Sequence, residues 1–293
     1  MKKIIGVSFA LVVSAFSFAQ SNEQIQNKNG VDIMPVSGEW GVGMNALPMI
    51  NFLGNSFNGN VGNFNMNGNK FVSYWASNTL FGKYMLSDNT ALRAQLRIGQ
   101  YNNTYDNWVF DDAKNDPDSL VLDQYKSAQS FYNIGVGYEW RRGKTRLRGI
   151  YGGEVMYMFT RGAKSEYTYG NALGLGNSAP TSTTWLGTTP FSETPLAART
   201  VSQTGGNFNG VGVRGFIGVE YYIAPKICFG TEFGWGVMYG ATGSTETRTE
   251  WYDPTANAGV GAATFSDVKD GGSRGLSIDT DNFGGSLYMM FYF

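Results

Sequence analysis

The last fifteen residues, 279–293, read DTDNFGGSLYMMFYF and separate into two faces when they are sorted by parity. The odd positions from 283 onward hold Phe, Gly, Leu, Met, Phe and Phe, whereas the even positions hold most of the polar atoms. Successive side chains of a strand point to opposite faces, so this period of two predicts a β-strand. We expect its odd residues to face an apolar environment.

The same period recurs in seven earlier segments, which are residues 38–47, 80–86, 92–98, 132–140, 147–159, 211–223 and 227–239. Short turns near Asp88, Gly143 and Pro225 alternate with long connections, which span residues 48–70, 103–126, 161–205 and 241–275. This pattern predicts an all-β fold, an eight-stranded antiparallel up-and-down transmembrane β-barrel with short periplasmic turns and long extracellular loops. A hairpin hidden in the third long connection would raise the strand count to ten.

The composition favours a membrane barrel over a soluble β-sandwich. Charged residues make up 15% of the chain, and aromatic residues another 15%, whereas about 25% charged residues is usual for a soluble protein. No apolar run after the N-terminal segment is long enough for a spanning helix, which needs about 20 residues. A soluble sandwich would fit the 40 glycines but should carry more charge.

The N-terminus has the pattern of a secretory signal. Lys2 and Lys3 precede an apolar run, and Ser17-Phe18-Ala19 offers a small-x-small cleavage site. We expect residues 1–19 to be a signal peptide, 20–37 a short periplasmic leader and 38–293 the barrel domain; an uncleaved anchor is the alternative. Loss of the two lysines would change the formal charge from −1 to −3, which is no footprint for nucleic acid.

Parity places the ionisable residues of the strands on the inward face. They are Glu39, Glu139, Glu154, Glu220 and Glu232, with Lys83, Arg93, Arg97, Arg148 and Arg214. Side chains just fill an eight-stranded barrel, and buried charges there must pair. Five acids against five bases predict a luminal charge network that closes the barrel, because a selective pore usually shows a ring of one sign. A narrow gated channel or a proton path is the alternative.

The sequence offers no catalytic, cofactor-binding or metal-binding residues. The chain has no histidine and a single cysteine, Cys228, which excludes Ser–His and Cys–His nucleophiles as well as zinc held by His and Cys. The luminal glutamates are matched by the luminal bases, so we expect no enzyme and no cofactor. Six aspartates between residues 105 and 123 could hold calcium on the surface, but their spacing favours solvated loop charge.

Two features resemble a known family. The terminal Phe293, and the phrases Leu80-Phe81-Gly82-Lys83-Tyr84 and Asp88-Asn89-Thr90-Ala91-Leu92-Arg93, are similar to eight-stranded OmpA/OmpX-type outer-membrane barrels and to Bacteroidota porin-family barrels. The resemblance implies a location in the cell outer membrane of a Gram-negative bacterium with both termini periplasmic. It also implies assembly by the β-barrel insertion machinery, with Met289, Phe291 and Phe293 as the assembly signal.

The expected function is that of a non-enzymatic outer-membrane protein. Its closed barrel would act as a scaffold that displays extracellular loops for envelope integrity, surface interaction or membrane-complex assembly. Its expected partners are outer-membrane lipid, the insertion machinery and, through the loops, another outer-membrane protein. A small passive or gated outer-membrane pore, a porin-like diffusion channel, is the alternative function.

Overall fold

The computed structural model describes residues 25–46, 80–114, 116, 118–279 and 286–293 of the 293-residue chain. Within these ranges the protein is almost entirely antiparallel β-structure, and no helix there is long and apolar enough to cross a bilayer. The predicted signal peptide and the predicted first long connection, residues 48–70, lie outside the described residues, as does the start of the predicted leader.

The strands, in chain order, are β1 (Trp40–Asn45), β2 (Leu80–Ser87), β3 (Thr90–Phe110), β4 (Leu120–Arg142), β5 (Leu147–Thr168), β6 (Thr181–Leu186), β7 (Thr189–Pro195), β8 (Ala198–Thr204), β9 (Phe208–Ala224), β10 (Ile227–Thr242), β11 (Thr245–Asp253), β12 (Ala262–Asp270), β13 (Ser273–Asp279) and β14 (Ser286–Tyr292). A four-residue helical turn, α1 (Ala256–Gly259), connects β11 to β12.

Eight of these strands form a closed ring in the order β1–β2–β3–β4–β5–β9–β10–β14. The ring closes because β14 pairs back with β1, from Gly41 opposite Tyr292 to Asn45 opposite Tyr288. All eight pairings are antiparallel, and each of the eight strands overlaps one of the eight period-two segments of the sequence. The prediction of an all-β, antiparallel, up-and-down fold with an eight-stranded, barrel-like ring is therefore confirmed.

Alternation of buried and exposed side chains defines the inner and outer faces of the ring. In β9, buried and exposed residues alternate without interruption along most of the strand. In β14, Tyr288, Met290 and Tyr292 are buried, whereas Phe291 and Phe293 are exposed. The odd residues of the last strand thus face outward, as their parity predicts.

The three short turns lie together at one end of the ring. Only two residues separate β2 from β3, where the Ser87 and Thr90 hydroxyls are 2.7 Å apart. Gly143 has a φ of +131° in the turn from β4 to β5, a conformation that favours glycine. Pro225 and Lys226 connect β9 to β10, and proline fits there because it lies outside the hydrogen-bonded strands.

The second, third and fourth long connections consist largely of strands and not of loops, so this part of the prediction is wrong for them; the first lies outside the described residues. Strands β3 and β4 stay paired from Thr90 opposite Trp140 to Phe110 opposite Leu120, so residues 103–126 are largely a β-hairpin. Strands β8, β11 and β12 extend the sheet from β5, and β13 pairs with β10. The third connection contains a hairpin, β6–β7, but it forms a separate two-stranded sheet and the ring keeps eight strands. We call the described residues of these three long connections, 103–126, 161–205 and 241–275, the β-extension.

Candidate functional site: the ring interior

The ring interior holds nine of the ten ionisable side chains that parity assigned to it. Each of the nine is at most 7% exposed: Lys83, Arg93, Arg97, Glu139, Arg148, Glu154, Arg214, Glu220 and Glu232. Glu39 is the exception, since its side chain is 21% exposed at the short-turn end and pairs with Lys226 at 2.7 Å. Its assignment to the inner network is corrected, because it directly precedes β1 and reaches the rim.

Four of these side chains form an upper layer: Arg93, Glu154, Arg214 and Glu232. The Arg93 guanidinium donates two hydrogen bonds to Glu232, of 3.0 and 3.2 Å. Arg214 Nη1 lies 2.8 Å from Glu154 and 2.9 Å from Glu232. The Phe216 ring covers one side of this group, with Arg93 Cζ 4.0 Å from the ring centroid. Two cations therefore neutralise two carboxylates at a site where each side chain is at most 7% exposed.

A lower layer lies nearer the short turns and consists of Lys83, Glu139, Arg141 and Glu220. Lys83 Nζ bridges Glu139 at 2.6 Å and Glu220 at 2.7 Å. Arg141 pairs with the other oxygen of Glu220, and the Tyr288 hydroxyl donates to Glu220 at 3.0 Å. This layer is also neutral, with two cations and two carboxylates, as buried charges require if their desolvation is to be offset.

Arg141 is the inner residue that sequence reasoning missed. The prediction assigned it to the short turn near Gly143, but the structure extends β4 to Arg142, and Arg141 is only 3% exposed. Its guanidinium donates to the Tyr292 hydroxyl at 3.1 Å. The signal was present, because Arg141 has the same odd parity on β4 as Glu139.

The predicted balance of five acids and five bases changes accordingly. Among the described residues, the buried ionisable side chains of the ring are four glutamates and six bases. The two neutral layers account for four of each sign, and the two remaining bases lie at their ends. Arg97 lies toward the β-extension, with Cζ 5.1 Å from the Phe131 ring centroid, and Arg148 lies at the short-turn end.

Residues 25–37, the described part of the predicted leader, close the short-turn end of the ring. Ile33 and Met34 are each 1% exposed and belong to the same buried apolar cluster as Met85 and Tyr222. The backbone N–H of Lys226 donates to the Ile33 carbonyl at 2.9 Å, and Lys226 Nζ donates to the Met34 carbonyl at 3.0 Å. We call this segment the leader cap. Its five apolar residues, which are Ile25, Val31, Ile33, Met34 and Val36, follow no single period, so no pattern in the sequence predicted the cap.

Large aromatic side chains fill the space between the charged groups. The Tyr288 ring lies over Gly230 of the neighbouring strand, so a Cβ added at Gly230 would be 2.2 Å from Tyr288 Cζ. Tyr222 and Tyr292 are also buried, with ring centroids 6.3 Å apart. The interior at this level is therefore a packed core, as expected for a ring of eight strands.

The outer face of the ring has the opposite character. Fifteen of its large apolar side chains are between 37% and 65% exposed: Val42, Met44, Leu92, Leu96, Ile98, Ile134, Val136, Val155, Val211, Val213, Ile217, Val219, Phe233, Trp235 and Phe291. We call these residues the apolar belt. No outward position of the described ring strands at this height carries a charge.

The belt ends at one level on neighbouring strands. Ile98 is opposite Tyr132, and Tyr132 is opposite Phe159. Beyond this level the outward residues become polar, with Gln100 next on β3 and Arg161 on β5. At the short-turn end, the rings of Trp40 and Tyr84 pack 4.7 Å apart, and those of Trp140 and Tyr151 lie 5.7 Å apart.

The acidic segment at residues 105–123 is solvated loop charge only in part, because Asp116 and Asp118 are exposed whereas Asp111 and Asp123 are buried. Asp123 is fully buried and accepts hydrogen bonds from the backbone N–H groups of Gly170 and Thr183, at 2.9 and 2.7 Å. Burial opposes ionisation of Asp112, but hydrogen bonds from Thr181 and Asn177 lower its pKa below the ordinary value. No group of three or more potential metal ligands occurs in the described part of the chain. Asp112 and Asp123 thus connect the β3–β4 hairpin to residues 170–183 of the β-extension.

No protein-family model matches the chain, and no curated protein matches it. The resemblance to OmpA/OmpX-type and Bacteroidota barrels therefore stays a prediction. The fold and the side chains inside and outside the ring carry the functional argument.

Proposed function

We propose that this protein is an integral outer-membrane β-barrel whose closed ring acts as a non-enzymatic scaffold for the β-extension. One observation carries the proposal: the ring is apolar outside and charged inside. A water-soluble protein has the opposite distribution, with its apolar residues in the core and its charges on the surface. Such an inversion suits a ring that is surrounded by lipid.

The apolar belt has the dimensions that a bilayer requires. On β4 the belt and the aromatic residues at its edges extend from Tyr132 to Trp140, which is nine residues, and a tilted transmembrane strand needs about 9–11 residues. Contiguous exposed apolar patches on soluble monomers rarely exceed a few hundred Å². Aromatic rings lie at both edges, with Trp40 and Tyr84 at one and Tyr132 and Phe159 at the other. Rings of this kind favour the interface between lipid and water.

The short turns and the leader cap belong on the periplasmic side in this proposal, and the β-extension faces the exterior. Strand β14 places Phe291 and Phe293 on the outer face, where they are available to the insertion machinery that the sequence predicts as a partner. The exterior part is a folded β-structure rather than a set of loops. It is therefore suited to surface interaction or to contact with another outer-membrane protein.

Two features support a closed ring over a conducting one. Both charged layers are neutral, with close ion pairs that span the interior from β2 and β3 to β9 and β10. The leader cap then covers the short-turn end. Selective pores usually present a ring of one sign to the permeating ion. The small pore remains the second candidate, because Arg97 and Arg148 place an additional positive charge at each end of the network.

Two lysine substitutions, one in the middle of the belt and one beyond its edge, test the membrane proposal. Val136, 58% exposed, lies in the middle of the belt, whereas Thr104 faces outward on β3 beyond its edge. Val136→Lys should lower the free energy of unfolding in lipid bilayers by about 2–4 kcal/mol. Thr104→Lys, the matched control, should change it by less than about 0.5 kcal/mol. Equal small effects of both substitutions, or recovery of the wild-type protein in the soluble fraction of cells, would refute the proposal.

A further inference from the structure

A cavity of about 520 Å³ lies above the upper layer, on the inner face of β3, β4 and β5. Three aromatic rings and three side-chain amides dominate its lining: Tyr101, Tyr105, Phe131, Asn103, Gln129 and Asn133. Three hydroxyl side chains and one methionine complete the lining among the described residues, and none of these lining side chains is charged. This volume falls within the range of small-molecule sites.

Strand register brings these residues to one face. Gly99 is opposite Phe131, Tyr101 is opposite Gln129, and Tyr105 is opposite Tyr125. Because Gly99 lacks a side chain, the Phe131 ring lies across the strand; a Cβ at Gly99 would be 2.2 Å from Phe131 Cζ. The ring thereby lies over the Arg97 guanidinium and separates it from the cavity. Arg97 is only 5% exposed, so the cavity floor is an aromatic face rather than a cation.

The aromatic rings continue up the same face. The Tyr101 and Phe131 centroids are 6.1 Å apart, and Tyr105 stacks on Tyr125 at 5.7 Å with an angle of 19° between the rings. Tyr101 and Tyr105 are four residues apart, which corresponds to about 13 Å along a strand. A ligand that contacts both rings is therefore an extended molecule.

The amides of the cavity differ from the amide below it. Gln95, in the charged region, donates to Glu154 at 3.0 Å. By contrast, the side chains of Asn103, Gln129 and Asn133 make no hydrogen bond to any other described residue. Each amide offers two N–H donors and one carbonyl acceptor. The cavity therefore presents unused donors and acceptors next to flat apolar rings.

We propose that this cavity binds a neutral oligosaccharide. A sugar ring has an apolar C–H face that packs on an aromatic ring and peripheral hydroxyls that both donate and accept, as the amides require. A purely apolar ligand would leave the amides unpaired, at a cost of about 1–3 kcal/mol for each buried group. An anion would find no cation among the described residues of the cavity surface. The location of the site on the cell exterior rests on the proposed function, but the binding chemistry does not.

Calorimetric titration of the refolded full-length protein tests this site. The detergent should be lauryldimethylamine oxide, because a maltoside or glucoside would itself carry a competing sugar. The probes are maltopentaose, cellopentaose and xylopentaose, with a galacturonate oligomer as the anionic comparison. We expect at least one neutral pentasaccharide to bind, and the galacturonate to bind more weakly or not at all. A second arm uses neutral polysaccharide released from the surface of the native host, since a glycolipid could present the same chemistry; binding there also supports the site and identifies the source.

Three variants link any binding to the cavity. Tyr101→Ala removes a ring of the cavity and should weaken binding about tenfold. Gly99→Ala should weaken it similarly by displacing Phe131. Trp108→Ala removes an outward ring of the same strand, 59% exposed, and should leave binding unchanged. Far-UV circular dichroism checks that each variant keeps the β-fold.

Several results would overturn the inference. They are the absence of binding by all neutral saccharides, a preference for the galacturonate, or an equal loss of affinity in the Trp108→Ala control. Failure of the membrane proposal would be seen separately, in the Val136→Lys comparison, because the titration is performed in detergent and needs no bilayer.

Discussion

The charged layers and the cavity above them share the inner face of β3 and β4, but they differ in how their polar groups are satisfied. In the layers, Arg93, Glu220 and Gln95 each have a described partner on another strand. In the cavity, Asn103 and Gln129 have none among the described residues. A buried polar group must form a hydrogen bond or ion pair to offset its desolvation, whereas a solvent-exposed polar group can stay hydrated until a ligand binds. The ring thus combines two charged layers, which close its interior, with a cavity above them that is open to a ligand.

Removal of one carboxylate from the charged layers should have the largest effect on the stability of the protein. Glu220→Gln leaves Lys83 and Arg141 without their shared counter-ion, and we expect the free energy of unfolding to fall by about 3–5 kcal/mol. Urea titration in lipid vesicles, followed by tryptophan fluorescence, measures this change. Glu246→Gln is the control, because Glu246 pairs with Lys269 at 3.3 Å where both side chains are about half exposed or more; it should cost less than about 1 kcal/mol. A loss for Glu220→Gln no larger than that of the control would contradict the packed network.

An added methyl group tests how closely the side chains pack in the ring interior at the level of the charged layers. Gly230→Ala forces the Tyr288 ring away from its position and should lower the free energy of unfolding by about 1–3 kcal/mol. At Gly82, on the outer face, the nearest atom to an added Cβ is 4.0 Å away. Gly82→Ala should therefore be neutral or stabilising by up to about 1 kcal/mol. If both substitutions shift the urea midpoint in the same direction by the same amount, the interior is not close-packed.

Two glutamines on the inner face, one beside the charged layers and one in the cavity, allow a direct comparison of the two regions. This comparison has the smallest expected effect. Gln95→Ala removes a hydrogen bond to buried Glu154 and should cost about 1–3 kcal/mol. Gln129→Ala removes an amide of the cavity and should change stability by less than about 0.5 kcal/mol. The same unfolding assay measures both. A cost for Gln129→Ala that equals that of Gln95→Ala would mean that the cavity amides are structural rather than available to a ligand.

The sequence predicted the ring well because lipid-facing and inward-facing positions alternate there. From Leu92 to Ile98, apolar residues alternate with Arg93, Gln95 and Arg97, so the period of two is clear. From Gln100 to Asp106 the outward residues of β3 are also polar, so the strand loses its pattern there although its backbone pairing continues to Phe110. Strand segments that are polar on both faces were therefore interpreted as loops.

The candidate site was predictable only in part, for related reasons. Parity identifies which charges point inward, but it cannot tell where a strand ends. Glu39 was assigned to the network although it lies at the rim, and Arg141 was assigned to a turn although it lies inside. The free amides of the cavity depend on which partners three-dimensional packing leaves out. No periodicity in the sequence carries that information.

Single-channel recording of the refolded protein in a planar bilayer tests the central claim of a closed ring most directly. The two neutral layers and the leader cap predict a silent bilayer, or rare and small openings, while a general porin inserted under the same conditions conducts. Stable, ion-selective current steps would contradict the account. The ion pairs between Lys83 and Glu220 and between Arg93 and Glu232 would then have to open in the membrane, and the protein would be a pore.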